Sequence, residues 1–204
     1  MKGYYFVTAA GLSHAGIIAD VKKAIQAGVK VVQYRNKTGT TAEMYKEAAA
    51  LRRLCKKTYL LINDRVDIAL AVGADGVHLG QEDMPAREAR RLLGQKKIIG
   101  LTVHSLPEAK EAQKLGVDYI GLSPIFATAT KLDAGMPAGV SLIKKIKKEV
   151  SLPLVAIGGI TLKNAPQVIA AGADAVCAIS AVITKKDVKK EILKFQKLFD
   201  IKTR

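Results

Sequence analysis

The sequence predicts a (β/α)₈ barrel, a parallel sheet closed on itself and ringed by helices. Three observations carry that expectation. Short β-branched apolar runs alternate with amphipathic stretches along all 204 residues, the pattern of parallel strands joined by crossover helices. A helix–Gly–strand joint recurs at Gly28-Val29-Lys30, Gly73-Ala74-Asp75, Gly116-Val117-Asp118 and Gly172-Ala173-Asp174. Glycine there closes a helix in the left-handed conformation, and a barrel of similar units needs one repeated joint. Finally, the polar, chemically capable residues gather just after the strands, where barrels of this class carry their sites. An open doubly wound sheet is the alternative, but its glycine-rich fingerprint after the first strand is missing.

In chain order, the first strand is expected at Tyr4–Thr8, an aromatic and β-branched run. The other strands are expected at Val29–Tyr34, Tyr59–Asn63, Gly76–Leu79, Ile98–Leu101, Tyr119–Leu122, Leu154–Ile157 and Ala175–Ile179. The helices that follow them fall at Ala15–Ala27, Thr41–Lys56, Val66–Val72, Ala86–Leu93, Leu106–Leu115, Val140–Glu149, Leu162–Ala171 and Lys186–Phe199. Eight units of about 25 residues make a compact barrel. No linker or composition break divides the chain, so one domain over residues 1–204 is expected.

The bulk numbers bound the function. Hydrophobic residues make up 49% of the chain, enough for a core, and no apolar run is long enough to span a membrane. The N-terminus reads as a strand, not a signal peptide. Cys55 and Cys177 lie far apart in apolar patterns without ligand spacing. Free buried thiols and a reducing, cytoplasmic setting are therefore expected. The net charge is +15, concentrated in runs such as Lys144-Lys145-Ile146-Lys147-Lys148 and Lys185-Lys186-Asp187-Val188-Lys189-Lys190. These lysines interleave with apolar residues at helical spacing and lack base-stacking aromatics, so they read as solvated helix faces, not a nucleic-acid footprint.

The strand ends carry the chemistry. They offer Gln33-Tyr34-Arg35-Asn36-Lys37, Asn63-Asp64-Arg65, Gly80-Gln81-Glu82-Asp83, Thr102-Val103-His104-Ser105, the long loop Ser123–Asp133, Gly158-Gly159-Ile160-Thr161, and Ser180-Ala181. Asp64 and Asp83 close adjacent strands, so their carboxylates converge if the barrel is right. Each alone is as well read as a helix cap. Together, opposite Arg35, Lys37 and Lys131, they suit a hard oxygen-seeking cation, Mg²⁺ ahead of Zn²⁺. Gly158-Gly159 and the Ser180 amide match the phosphate cup of such barrels, against the plainer reading of a tight turn. Thr128, Thr130 and Lys131 offer donors to a second anion. His78 lies within a strand and reads as a satisfied core residue. His104 has no nucleophile pattern around it, and Lys131 lies in a loop, which disfavours imine chemistry.

Taken in order and spacing, these motifs resemble the thiamine phosphate synthase family from about Tyr4 to Ser180. The carriers are Gln33–Lys37, Ile62–Asp67, Ala74–Asp83, Asp118–Gly121, Pro124–Phe126, Thr128–Lys131 and Ala156–Thr161. The resemblance implies condensation of a hydroxymethylpyrimidine pyrophosphate with a thiazole phosphate, giving thiamine phosphate and pyrophosphate by a dissociative path. It implies that Gln33, Arg35, Lys37, Asn63 and Lys131 grip the pyrimidine pyrophosphate. Asp64 and Asp83 would hold Mg²⁺, Thr128 and Thr130 would contact the thiazole phosphate, and Gly159, Ile179 and Ser180 would complete its cup. Arg35, Lys37, Thr102 and Lys131 then form the catalytic set. Three departures stand beside the substrates: Thr102 replaces the family's usual Ser, Ser123 a Gly, and Ala127 a Pro. The related thiazole tautomerases place a catalytic His where this chain has Pro124 and tend to lose the metal and pyrophosphate residues, so the resemblance favours a synthase. A tautomerase-like descendant and a non-catalytic phosphate-ligand barrel are the alternatives. Expected partners are phosphorylated small molecules, with neither nucleic acid nor membrane; a homo-oligomer is left open.

Overall fold

The computed structural model describes residues 2–128 and 135–200. Its strands are β1 (Gly3–Tyr4), β2 (Phe6–Val7), β3 (Val31–Tyr34), β4 (Tyr59–Asn63), β5 (Gly76–Leu79), β6 (Ile98–Val103), β7 (Tyr119–Leu122), β8 (Leu154–Ile157) and β9 (Ala175–Cys177). Every pairing is parallel, and the order β1-β9-β8-β7-β6-β5-β4-β3-β2 closes the sheet. β1 and β2 are two halves of the single strand expected at Tyr4–Thr8, divided at Tyr5. Gly3 pairs with Ala175 and Phe6 with Val32, while the Tyr5 N–H donates to Val176 O at 2.9 Å. One strand thus bonds to β9 with its first half and to β3 with its second, which makes an eight-stranded barrel.

The outer ring contains α1 (Ile17–Gln26), α2 (Thr41–Leu54), α3 (Val66–Ala71), α4 (Ala86–Leu93), α5 (Leu106–Lys114), α6 (Gly139–Glu149), α7 (Ala165–Ala170), α8 (Ser180–Ile183) and α9 (Val188–Asp200). Local chemistry explains several boundaries. Thr40 opens α2 with a reciprocal capping box to Glu43, and Ser105 caps α5 by accepting the Glu108 N–H. Two readings need correction. The last strand stops at Cys177, short of Ile179, and the four-residue helix α8 intervenes before α9.

Apolar side chains fill both sides of the sheet. One cluster lies between the helices and the barrel wall; a smaller one, with Val31, Leu61, Val155, Ala175 and Cys177, fills the barrel interior. Strands buried on both faces read as continuous apolar runs, which is why their positions were legible. Both cysteines are free and buried.

The repeated Gly-x-Asp joint has a physical purpose. Asp75 Oδ2 accepts the Leu60 N–H at 2.7 Å and pairs with Arg52 at 2.6 Å. Asp118 Oδ2 takes the Ile99 N–H at 2.7 Å and pairs with Arg90 at 2.7 Å. Asp174 Oδ2 takes the Leu154 N–H at 2.8 Å and pairs with Lys147 at 2.9 Å. Each aspartate also donates its own N–H to the carbonyl of the residue it grips. Three clamps therefore tie β4 to β5, β6 to β7 and β8 to β9 at the N-terminal end of the barrel, away from the cavity. Lys147, one of the lysines read as a solvated face, belongs to a clamp. In the fourth joint Lys30 occupies the Asp position and cannot accept.

Candidate active site

A cavity of about 550 Å³ opens at the C-terminal ends of the strands. Gln33, Arg35, Lys37, Asn63, Asp64, Asp83, Thr102, Thr128, Gly159, Ile179 and Ser180 all line it. Thr130 and Lys131 lie outside the described residues. Period-two alternation explains the convergence: alternate residues of a barrel strand face inward, so Gln33 and Arg35 share one face, as do His78 and Gly80.

The two acidic candidates meet. Asp64 sits at φ 61°, a left-handed conformation tolerated best by glycine, Asn and Asp, and its N–H is held by His78 O at 2.8 Å. Its carboxylate forms an ion pair with Lys37. Asp83 Oδ2 accepts the Gly80 N–H at 2.6 Å, closing the turn after β5. Burial first, and then the Asp64 carboxyl in hydrogen-bonding contact, push Asp83 above the ordinary carboxylate range; the Gly80 N–H and the Lys37 charge pull the other way. Neither side chain caps a helix, since the caps of α3 and α4 are Arg65 and Pro85. Two carboxylates this close demand positive charge, and one lysine meets the demand only in part. The donor set fits a hard divalent cation. No group of three or more His, Cys, Asp and Glu suited to a metal occurs among the described residues, so further ligands would come from water or substrate phosphate.

Arg35 supplies the complementary sign. Its backbone is fixed by Thr8, whose Oγ1 accepts the Arg35 N–H at 2.8 Å. Its guanidinium lines the cavity without a hydrogen bond or ion pair among the described residues. An unpaired fork of this kind is suited to a phosphate or pyrophosphate.

Gly158 and Gly159 stand between the cavity and the segment after β7. The pair lines the cavity, and it is also required by close approach. A Cβ on Gly158, at φ 99°, would lie 2.6 Å from Pro124 Cβ; one on Gly159, at φ 62°, would lie 2.4 Å from Ala127 O. The segment after β7 runs beside them, with Ile125 N–H on Ile157 O at 2.9 Å and Phe126 N–H on Gly158 O at 3.0 Å. Asn164 braces the turn by donating to Gly159 O at 2.9 Å.

Sequence reasoning missed the floor of the cavity. Tyr5, Tyr119 and His78 line it with Gln33 and Thr102. Gln33 Nε2 donates to Tyr5 Oη at 2.9 Å, Tyr5 Oη meets Tyr119 Oη at 2.7 Å, and Tyr119 Oη meets His78 Nδ1 at 2.8 Å. His78 Nε2 then meets Thr102 Oγ1 at 2.9 Å. His78 is thus satisfied, as expected of a core histidine, yet it also faces the site. The available signal was the strand period, which aims His78 inward beside Asn63 and Thr102. Gln81 crosses the rim to donate to Thr102 O at 2.5 Å.

Comparison with known proteins decides the family. The thiamine monophosphate synthase family matches residues 4–182. The chain belongs to that family. Among its relatives, a thiamine-phosphate synthase of Methanosarcina barkeri is 52% identical over 189 residues, covering 92% of this chain and 86% of the relative. One of Chloroflexus aurantiacus is 50% identical over 187 residues, covering 90% and 86%. A solved thiamine phosphate pyrophosphorylase from Pyrococcus furiosus superimposes with a TM-score of 0.90 at 38% identity, covering 99% of this chain and 97% of that one. The family match spans the cavity, from Tyr5 to Ser180. No helix among the described residues is long and apolar enough to cross a membrane.

Proposed function

We propose that the chain is a transferase that joins a hydroxymethylpyrimidine pyrophosphate to a thiazole phosphate, giving thiamine phosphate and pyrophosphate in the barrel-mouth cavity. The observation that carries this reading is the juxtaposition of the Asp64–Asp83 carboxylate pair with Lys37 and an Arg35 guanidinium that is unpaired among the described residues. A pyrophosphate leaving group with its metal requires both signs side by side.

Asp64 and Asp83 would hold Mg²⁺, which when bound supplies charge neutralisation to the departing pyrophosphate. Arg35 and Lys37, with Gln33 and Asn63, orient the pyrimidine pyrophosphate. The bond from its methylene carbon to the leaving oxygen breaks with the electron pair going to pyrophosphate. Charge then accumulates on oxygens facing Arg35 and Lys37, and donors fixed before reaction stabilise it without reorganising. The thiazole nitrogen donates its lone pair to the pyrimidine methylene cation, forming the new carbon–nitrogen bond. Gly159, Ile179, Ser180 and Thr128 line the side of the cavity assigned to the thiazole phosphate. Thr130, by the family resemblance, would join Thr128 on the thiazole phosphate, and Lys131 would join Arg35 and Lys37 on the pyrophosphate; both lie outside the described residues. No protein nucleophile is needed.

This reading places the enzyme in solution, acting on small phosphorylated molecules in the cytoplasm, as one barrel domain over residues 1–204. The test is product analysis: purified protein given both substrates and Mg²⁺ forms thiamine phosphate, and neither substrate alone suffices. Folded protein that binds both substrates and forms no product would overturn it.

A further inference from the structure

The polar floor beneath the cavity has a direction. Gln33 presents its amide nitrogen to Tyr5 Oη at 2.9 Å, so that phenol oxygen accepts. The Tyr5 hydrogen then has one remaining neighbour, Tyr119 Oη at 2.7 Å. Tyr119, accepting from Tyr5, spends its own hydrogen on His78 Nδ1 at 2.8 Å. An imidazole that accepts at Nδ1 is neutral and carries its proton on Nε2. That proton points to Thr102 Oγ1 at 2.9 Å. Thr102 therefore accepts from His78, and its own O–H has no acceptor among the described residues. It faces the cavity.

The sequence is cut to seat this chain of groups. Tyr5, Gln33 and Tyr119 are 3%, 5% and 1% exposed, so each polar group had to find its partner within the barrel. Two glycines stand inside strands, where glycine ordinarily weakens the sheet. A Cβ on Gly100 would lie 2.1 Å from Tyr119 Cζ, and one on Gly121 would lie 2.9 Å from His78 Cε1. Burial pushes both phenols far above their ordinary range, so both keep the hydrogens that the relay uses.

We propose that Gln33, Tyr5, Tyr119 and His78 form a one-way hydrogen-bond relay that holds His78 as its neutral Nε2–H tautomer and commits the Thr102 hydroxyl to donate to an acceptor atom of the bound substrate. Tyr5, Tyr119 and His78 are positioning residues that act through Thr102. The role of Thr102 rests on the functional reading above; the tautomer does not. The relay also explains why a hydroxyl suffices at this position whether or not a methyl accompanies it: the methyl leaves the accepted and donated bonds of Oγ1 in place.

Two measurements test the relay. In protein labelled with ¹⁵N-histidine, the His78 signals, assigned by their loss in His78→Gln, report the Nε2–H tautomer at neutral pH. In Tyr119→Phe, which keeps the ring and removes the hydroxyl, that bias disappears. A His78 carrying its proton on Nδ1 would reverse the relay and overturn the proposal. The second measurement is a double-mutant cycle in kcat/KM. Tyr119→Phe lowers it about tenfold and Thr102→Val about tenfold to a hundredfold, while the double variant matches Thr102→Val alone within about twofold. Independent, multiplying losses would show that Tyr119 does not act through Thr102. Tyr5→Phe serves the same cycle if Tyr119→Phe fails to fold. A wild-type protein making no thiamine phosphate would sink the functional reading, and the tautomer measurement would still decide the relay.

Discussion

Replacing Asp75 by Ala isolates the clamp that repeats through the barrel. The carboxylate accepts the Leu60 N–H at 2.7 Å, and Leu60 is 0% exposed with that carboxylate in place. An orphaned buried donor costs about 1–3 kcal/mol. The Arg52–Asp75 pair, with side chains 24% and 31% exposed, adds no more than about 1 kcal/mol. The expected loss is about 1–4 kcal/mol, a fall in melting temperature of roughly 2–16 °C for a chain of this size. Arg52→Ala, which removes the pair and the Arg52 bond to Cys55 O but leaves the Leu60 bond, costs less than Asp75→Ala. Urea unfolding measures both. Turnover well below the melting point stays at the wild-type level, because the clamp lies at the opposite end of the strands from the cavity. Asp118→Ala and Asp174→Ala fall in the same range, and Lys30→Ala does not. An Asp75→Ala protein within about 0.5 kcal/mol of wild type would refute the assignment of stability to the buried N–H bond.

Three further outcomes follow from the site. Asp83 titrates above its unfolded value, so its ionised form costs stability at pH values above the folded-state pKa, and the cost vanishes as the pH falls below the unfolded value. Asp83→Asn, which keeps an oxygen for the Gly80 N–H, therefore melts at or up to about 2 °C above wild type at pH 7 without Mg²⁺ while losing at least about a hundredfold in turnover; a destabilised or fully active variant contradicts this. Arg35→Gln raises KM for the pyrimidine pyrophosphate about tenfold or more with little change in melting temperature, and steady-state kinetics identical to wild type would remove Arg35 from the site. Gly159→Ala puts a Cβ 2.4 Å from Ala127 O at a positive φ, which costs about 1–3 kcal/mol and raises KM for the thiazole phosphate. Wild-type unfolding and KM would show that the turn and the facing segment give way freely.

The barrel was legible because its strands are apolar on both faces and its joints repeat one Gly-x-Asp pattern. Elements with no such signature were lost. α8 is four residues, too short to show a helical period, and it follows an apolar Ala178-Ile179 that reads as more strand. The break at Tyr5 follows from pairing on two different edges, a property of closure that no local pattern records. Among site residues, those at strand ends could be placed, since polar groups after apolar runs have few structural reasons to be there. Tyr5 and Tyr119 could not, because a tyrosine in a strand is ordinary and only the closed barrel brings their hydroxyls together across 114 residues of sequence. Asp64 and Asp83 could be read as caps until the backbone put one in the left-handed region and the other across a turn.

The central claim is that this cavity releases pyrophosphate by metal-assisted condensation of two phosphorylated substrates. Pyrophosphate release measured on purified protein with both substrates, with each alone, with EDTA, and with Mg²⁺ restored, tests it most directly. Release is expected in step with thiamine phosphate, only with both substrates, abolished by EDTA and recovered with Mg²⁺. Release at full rate in EDTA would contradict the role given to Asp64 and Asp83, and no release from folded protein that binds both substrates would contradict the synthase reading itself.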